Sequence, residues 1–165
     1  MQALMEWIVS TPPSHFVTTY RWAWPISESL HFIGLALMAG TVGVFDLRLL
    51  GLAKGIRPGA MHGLLRWGMV GFGISLLTGL LFISGAPDQY FYNSAFHVKA
   101  ICLALTGLNL VLFYRLQFTA VAAMGPYDDA PLPARVMGGI SLALLIAVMC
   151  AGRLITFYRP PGIVF

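Results

Sequence analysis

The chain has 165 residues, of which 58% are hydrophobic and only 10% are charged, and its formal net charge is +4. With a mean hydropathy of +0.80, this composition excludes an ordinary soluble domain and indicates an integral membrane protein, because long apolar runs with few charges are typical of membrane-spanning helices. The Lys and Arg residues form no cluster with interleaved aromatic residues, which excludes a nucleic-acid surface. We expect one domain over residues 1–165, in contact with the lipid bilayer.

The first part of the chain is expected to lie on the membrane surface. Residues 2–10, QALMEWIVS, have the pattern of a short interfacial amphipathic helix. The prolines that follow, Pro12 and Pro13, are expected to end this helix. The segment has neither a basic n-region nor a long apolar h-region, so we expect no cleaved signal peptide.

Four apolar segments are each long enough to cross a bilayer. They cover residues 27–52, 62–85, 94–118 and 136–158. Because the connecting segments are short, consecutive helices are expected to be antiparallel neighbours. The expected fold class is therefore all-α, an integral membrane up-down four-helix bundle with a short N-terminal interfacial helix. At the start of the first span, Ser27 is expected to cap the helix and Glu28 to lie in its first turn.

The orientation in the membrane follows from the Lys and Arg residues near the span ends, which are more frequent on the cytoplasmic side. Six lie on the side of the first and third loops, namely Arg48, Lys54, Arg57, Arg66, Arg115 and Arg135. Four lie on the side of both termini and the second loop, namely Arg21, Lys99, Arg153 and Arg159. We therefore expect a multi-pass protein of a bacterial inner membrane with both termini in the periplasm.

Two of the histidines stand out because both lie near the outer end of a span. His31 is about four residues into the first span and His97 about three into the third, which places each imidazole roughly 5 Å below the boundary. The first and third helices are diagonal in an up-down bundle. Since ionisable residues within spans usually face the bundle interior, the two histidines are expected to clamp a planar or metallic ligand between them.

Haem b fits this arrangement, with His31 and His97 as axial ligands of the iron. The cations on the same side would pair with the haem propionates, and they are Arg21, Lys99, Arg153 and Arg159. Two axial histidines leave no open iron position, which favours electron transfer to or from a quinone or a partner redox protein. Glu28 and Ser94, each three residues before a histidine, would accept hydrogen bonds from the imidazole N–H groups.

The sequence leaves two alternatives open. A copper-handling membrane protein could use His31, His97 and Glu28, with His15 added if the N-terminal segment folds over the mouth of the bundle. A non-redox accessory or structural subunit would instead have histidines that pack at the membrane interface. A di-iron site is excluded, because the chain lacks a second Glu-x-x-His and the further glutamates. With no catalytic triad, phosphate loop or carboxylate pair, an electron-transfer or accessory subunit is expected rather than a stand-alone enzyme, and the oligomeric state stays open.

Other polar residues have structural interpretations. His62 stands alone at the inner end of the second span and is expected at the membrane interface. Asp46 is expected to pair with a nearby arginine, which is Arg48, Arg57 or Arg66. Asn109 is expected to bond a neighbouring helix, and the glycines of the first two spans are expected to let their helices approach closely.

The run WPISESLHFIGLALMAGTVGVFDLRLLGL, with the four-span plan, resembles a group of uncharacterised bacterial inner-membrane proteins known only as domains of unknown function. Its strongest marks are ESLHFIGLAL at the start of the first span and FDLRLLG at its end. More loosely, the plan is similar to cytochrome b561-like and copper-resistance D-type membrane proteins, which place histidines near helix ends. A two-haem protein of the first kind needs a second histidine pair on the inner side. Because His62 stands alone there, the resemblance implies at most one haem.

Overall fold

A computed structural model describes residues 2–158 of the chain. Over this range the chain forms eight α-helices and no β-strand, which confirms the all-α class. The helices are α1 (Gln2–Val9), α2 (Pro12–Thr19), α3 (Ala23–Leu49), α4 (Pro58–Gly85), α5 (Pro87–Phe91), α6 (Ser94–Leu116), α7 (Phe118–Ala122) and α8 (Leu132–Ile155). The short helices α5 and α7 lie in segments that the sequence predicts as loops.

Within the described range, four helices are apolar and long enough to cross a membrane, and they are α3, α4, α6 and α8. The shortest of them, α6, has 23 residues. At 1.5 Å per residue it is about 35 Å long, compared with roughly 30 Å for the hydrocarbon core. Each long helix contains most of one predicted span, and four apolar helices of this length indicate a multi-pass membrane protein.

The long helices pack in the order α4, α3, α8, α6, because α3 contacts both α4 and α8, and α6 contacts α8. Glycines bring the backbones of α3 and α4 together. A Cβ on Gly71 would lie 2.6 Å from the carbonyl oxygen of Gly34, and a Cβ on Gly68 would lie 2.7 Å from Oγ1 of Thr41. Side chains larger than hydrogen do not fit at these positions, which confirms the predicted role of these glycines in close helix packing.

The two ends of the bundle are built from different segments. The terminal end holds the start of α3 and the end of α8, and the loop end holds residues 50–57 and 117–131. At the loop end α4 and α6 are joined through side chains, since Nε2 of His62 lies 3.0 Å from the Tyr114 hydroxyl. His62 therefore bonds a tyrosine of a neighbouring helix, and its position at the membrane interface stays a prediction. Asn109 donates to the Met137 carbonyl at 3.1 Å and so joins α6 to α8, as predicted.

Arg48 organises the loop end. Its side chain is fully buried, with 0% of its surface exposed. The guanidinium donates at 2.9–3.2 Å to backbone carbonyls in the two loops of this end, which belong to Ile56, Gly125, Pro126 and Asp128. A planar group with five N–H donors suits such a set of acceptors. The two loops are therefore held together by one side chain from the last turn of α3.

Asp46, near the loop end, does not form the predicted ion pair with an arginine. Asp46 is 3% exposed and lies beside the Ser141 hydroxyl of α8, and within residues 2–158 its Oδ2 has no hydrogen-bond partner. The predicted ion pair with an arginine is wrong, since the donors of Arg48 are taken by loop carbonyls. Asp129 instead bonds Lys54 at 2.8 Å and Arg135 at 2.9 Å. The Lys54 ammonium holds the pKa of Asp129 below its ordinary value.

At the terminal end, the helix α1 covers residues 2–9 of the predicted surface helix 2–10. The following prolines do not lead into an irregular segment, because Pro12 and Pro13 occupy the first turn of α2. Proline is tolerated there since the first amides of a helix have no carbonyl partner within it. The helix α2 packs against α3 and α4 and so covers part of the terminal end.

The first spanning helix begins earlier than predicted. Its first residue is Ala23, so Pro25 lies within the first turn and Ser27 lies beyond it. Ser27 therefore does not cap the helix, and Glu28 is not in its first turn. The physical reason is the same tolerance of proline in the first turn. This shift places His31 two turns from the helix start.

Candidate functional site

His31 lies between α3 and α4, in the half of the bundle near the terminal end. Its Nδ1 is 2.8 Å from Oγ1 of Thr78 on α4. The ring of Phe82, one turn further along α4, meets the imidazole edge-on with centroids 5.5 Å apart. Gly79 lies between these two residues, and even a Cβ there would be 3.8 Å from Cε1 of His31. The imidazole is thus held by α4 on one side, and a methyl group on Gly79 would be in van der Waals contact with its Cε1.

The hydrogen bonds of Thr78 favour one tautomer of His31. The Thr78 hydroxyl lies 2.7 Å from the Ile74 carbonyl oxygen and 3.2 Å from that of Ser75, and both can accept its single proton. With the proton donated to either carbonyl, Thr78 Oγ1 would accept a hydrogen bond from Nδ1–H of His31. The other ring nitrogen, Nε2, then carries a lone pair, and among residues 2–158 no hydrogen bond to it within 3.5 Å is formed, although the Ser75 backbone also interacts with the ring. Neutral imidazole with a free Nε2 is the form that binds metal ions.

Lys99 on α6 is a cation that interacts with His31. Its side chain extends toward α8. Its Nζ is 3.4 Å from the position of a Cβ on Gly152 of α8, and it interacts electrostatically with His31. No carboxylate oxygen among residues 2–158 lies within the 4 Å of an ion pair with this ammonium. A partly buried cation without a counter-ion inside a span marks a site for an anionic group.

His97 takes no part in the contacts that hold His31. It is exposed on α6, and its Nε2 is 3.1 Å from the carbonyl oxygen of Phe91, which shortly precedes that helix. Ligation by His97 stays a prediction, and its exposed position does not support a pair with His31.

The other residues assigned to the haem site have different positions. Glu28 and Ser94, the predicted acceptors for the imidazoles, are both exposed. His31 instead bonds Thr78, and His97 bonds the Phe91 carbonyl. Arg153 is exposed in the last turn of α8. Arg159 lies outside the described residues.

The copper alternative receives no support from the arrangement of ligands. His15, which would complete that site, is exposed on α2. Across residues 2–158 there is no group of three or more His, Cys, Asp or Glu side chains that could hold a metal ion. A tetrahedral site needs three or four such ligands.

A cavity of about 620 Å³ opens at the terminal end, next to His31. It lies between α2, the start of α3, the end of α4 and α5. The lining combines aromatic and polar side chains, among them Arg21, Trp24, Glu28, Phe82, Gln89 and Tyr90. Phe82 belongs both to this cavity and to the contact with His31, so the two features are adjacent.

Glu28 and Tyr90 are electrostatic neighbours in this cavity. Burial, together with the Glu28 carboxylate, raises the pKa of Tyr90 to about 12. Both effects disfavour the phenolate, so the hydroxyl keeps its proton over the whole physiological range. Tyr90 can therefore donate a hydrogen bond into the cavity.

The sequence pattern does not single out the residues that surround His31. Thr78 and Ser75 lie three residues apart on the α3-facing side of α4, and Ser75 donates to the His31 carbonyl at 3.4 Å. Their signal is two hydroxyl residues in an otherwise apolar span, at the spacing of one helix turn. Gln89 and Tyr90 have no comparable signal, because they lie in a segment predicted as a loop.

Comparison with known proteins adds the family but no activity. The profile of a Family of unknown function (DUF6644) matches residues 5–158, which is most of the chain. Searches of the curated proteins and of the solved structures each found no match. A similarity to cytochrome b561-like or copper-resistance D-type proteins is therefore not shown, and the cofactor hypotheses rest on the residues of this chain. The chain belongs to the DUF6644 family.

Proposed function

We propose that this protein is a membrane-embedded electron-transfer subunit that holds one b-type haem, with His31 as a ligand of the haem iron. The observation that carries the proposal is the unpartnered Nε2 of His31 inside the bundle. Thr78 holds the opposite nitrogen and so fixes the ring orientation, which is the arrangement typical of metal-binding histidines. Haem b, when bound, supplies one-electron redox chemistry.

The charges near His31 fit the same ligand. Lys99 interacts electrostatically with His31 and has no carboxylate within 4 Å among the described residues. A haem propionate would neutralise this cation, whose charge is costly in an apolar span.

The location and partners complete the proposal. We infer that the protein lies in a bacterial inner membrane with its terminal end on the periplasmic side, because six cations flank the loop end and four the terminal end. Electrons would be exchanged with a quinone or with a partner redox protein at the terminal end, where His31 lies. The chain itself would bind and orient the cofactor rather than transform a soluble substrate.

An absorbance spectrum tests the proposal. The protein is purified from cells supplied with a haem precursor, so that haem supply does not limit occupancy. We expect a Soret band in the wild type, its loss in His31→Ala, and about tenfold weaker haem binding in Thr78→Val, which keeps the side-chain shape but removes the hydroxyl. His15→Ala is the matched control, since His15 is exposed on α2, and it should keep the wild-type spectrum.

A wild-type protein without a Soret band, oxidised or reduced, would contradict the haem proposal and leave an accessory role. A Soret band that survives in His31→Ala would remove His31 from the site. The His97→Ala variant decides the second ligand. Loss of a low-spin spectrum in this variant assigns His97 as that ligand, whereas an unchanged spectrum excludes it, in agreement with its exposed position.

A further inference from the structure

The cavity at the terminal end has the size and walls of a binding site for a small planar molecule. Its volume of about 620 Å³ lies within the roughly 300–1,000 Å³ of small-molecule sites. The rings of Trp24 and Phe82 stand 5.2 Å apart with an interplanar angle of 43°. Aromatic faces of this kind bind other flat rings by offset stacking or edge contacts.

The polar lining favours a neutral ligand. Arg21 and Glu28 bring one positive and one negative group to the same cavity. An anion would be repelled by Glu28 and a cation by Arg21, so neither has an advantage over a neutral molecule. Glu28 accepts hydrogen bonds, Arg21 donates them, and the protonated Tyr90 hydroxyl adds a second donor. The ligand should therefore carry polar atoms that accept and donate hydrogen bonds at its edges.

The position of the cavity favours a ligand that is dissolved in the membrane. It lies where the spanning helices end, beneath α2 and beside α5. Tyr20 and Trp22, which precede α3, are 63% and 67% exposed at this end. Exposed aromatic residues of this type mark the level of the lipid headgroups. A molecule in the bilayer could thus reach the cavity sideways.

We propose that this cavity binds the head ring of a membrane quinone, with Trp24 and Phe82 against the ring and Arg21, Glu28 and Tyr90 at its polar edges. A quinone is planar, neutral and lipid-soluble, and its oxygens accept hydrogen bonds in the oxidised form and donate them in the reduced form. Phe82 separates this ring from His31 by a single side chain. The binding stands on the cavity alone, whereas its redox role rests on the proposed function.

Calorimetric titration with ubiquinone-1 tests this assignment on the full chain in lipid nanodiscs. Thr18 lines the cavity from the exposed face of α2, so Thr18→Trp should fill the cavity and abolish binding. The matched control is Thr19→Trp, one residue further on, which is exposed and should keep the wild-type affinity. Tyr90→Phe should bind about fivefold more weakly, the effect of one lost hydrogen bond.

Three results would overturn the assignment. They are no binding by a folded wild-type protein, equal binding by Thr18→Trp and Thr19→Trp, and displacement of ubiquinone-1 by short-chain phosphatidylglycerol, which would assign the cavity to a lipid headgroup. The absorbance spectrum of the same sample separates this test from that of the haem proposal. Quinone binding without a Soret band would support the quinone site and contradict electron transfer through haem. A Soret band without quinone binding would support the haem proposal and contradict the quinone site.

Discussion

Arg48 shows how much one residue can decide in this protein. A charged side chain near the end of an apolar span usually indicates a membrane flank, yet Arg48 is fully buried and bonds the carbonyls of two loops. No carboxylate within residues 2–158 forms an ion pair with it. The contribution of Arg48 therefore depends more on the geometry of its hydrogen bonds than on its charge, since its five N–H donors are fixed in one plane and the acceptors are neutral carbonyls.

We expect Arg48→Lys to destabilise the protein even though the charge is kept. A lysine ammonium cannot match the planar fork, so several buried carbonyls would lose their donors, at a cost of about 3 kcal/mol. The measurement is thermal unfolding in detergent, followed by tryptophan fluorescence. Arg115→Lys is the control, because Arg115 is exposed in the last turn of α6. Equal shifts in the two variants would mean that the carbonyl contacts do not stabilise the fold.

His31 and His97 mark the limit of prediction at this scale. That an ionisable residue in a span lies inside the bundle could be predicted from the cost of burying it in lipid, and it holds for His31. Which ring nitrogen is free depends on Thr78, a residue 47 positions away in the chain. The exposed position of His97 depends on the rotation of α6 about its own axis, which no local pattern in SAFHVKAICLALTG determines.

At the scale of the helices, the closest packing is between α3 and α4. Gly34 and Gly71 face each other so closely that either Cβ would meet the carbonyl oxygen of the other. Without a hydrophobic force between helices in lipid, such close contact supplies much of the packing energy. Gly73 lies on the same helix as Gly71, but among residues 2–158 a Cβ added to it would meet no heavy atom within 4 Å beyond the nearby backbone of its own helix.

These two glycines predict opposite effects of the same substitution. Gly71→Ala should push α3 and α4 apart and cost about 1–3 kcal/mol of unfolding free energy. Gly73→Ala should be neutral or stabilise by up to about 1 kcal/mol, because alanine is the better helix former. Thermal unfolding of both variants in one detergent checks the difference. A Gly71→Ala protein as stable as Gly73→Ala would contradict this close packing of α3 on α4.

Helix positions followed from the sequence more closely than helix boundaries. The apolar runs predicted the four spanning helices, but the predicted start of α3 was wrong, and α2 was not predicted. In both cases the prolines indicated a position before or after a helix. Pro25 and Pro13 instead lie within first turns, where a missing N–H costs nothing. The first residue of a helix therefore depends on whether the residues before the proline can form a further helical turn.

The whole molecule is an open arrangement in which α6 contacts mainly α8, and α4 contacts mainly α3. The two outer helices meet through His62 and Tyr114 at the loop end. At the terminal end α2 and α5 lie beside the bundle and enclose the cavity. The two ends thus have different structures. The loop end is stabilised by Arg48 and by a cluster of buried hydrophobic residues that includes Phe45, Leu49 and Phe113, whereas the terminal end contains His31 and the cavity.

The two ends should lie on opposite sides of the membrane, which cysteine labelling can test. Cys102 and Cys150 are first replaced by alanine, and single cysteines are then placed at Asp88 or Tyr127, which are exposed at the terminal and loop ends. A membrane-impermeant maleimide should label Asp88→Cys in whole cells and Tyr127→Cys only after permeabilisation. The reverse pattern would invert the proposed orientation. Labelling of both in whole cells would contradict the spanning arrangement.

The sequence by itself determined that the chain is all-helical and that it has four helices long and apolar enough to cross a membrane, with His31 within the first of them. Composition and apolar runs suffice for these features, because the bilayer leaves the backbone few alternatives to helices of about 20 residues. Only the tertiary structure decided that Thr78 holds His31, that His97 is exposed and that Arg48 is buried. These depend on how helices rotate and pack against one another, and apolar helices of similar composition do not encode that rotation in any short stretch.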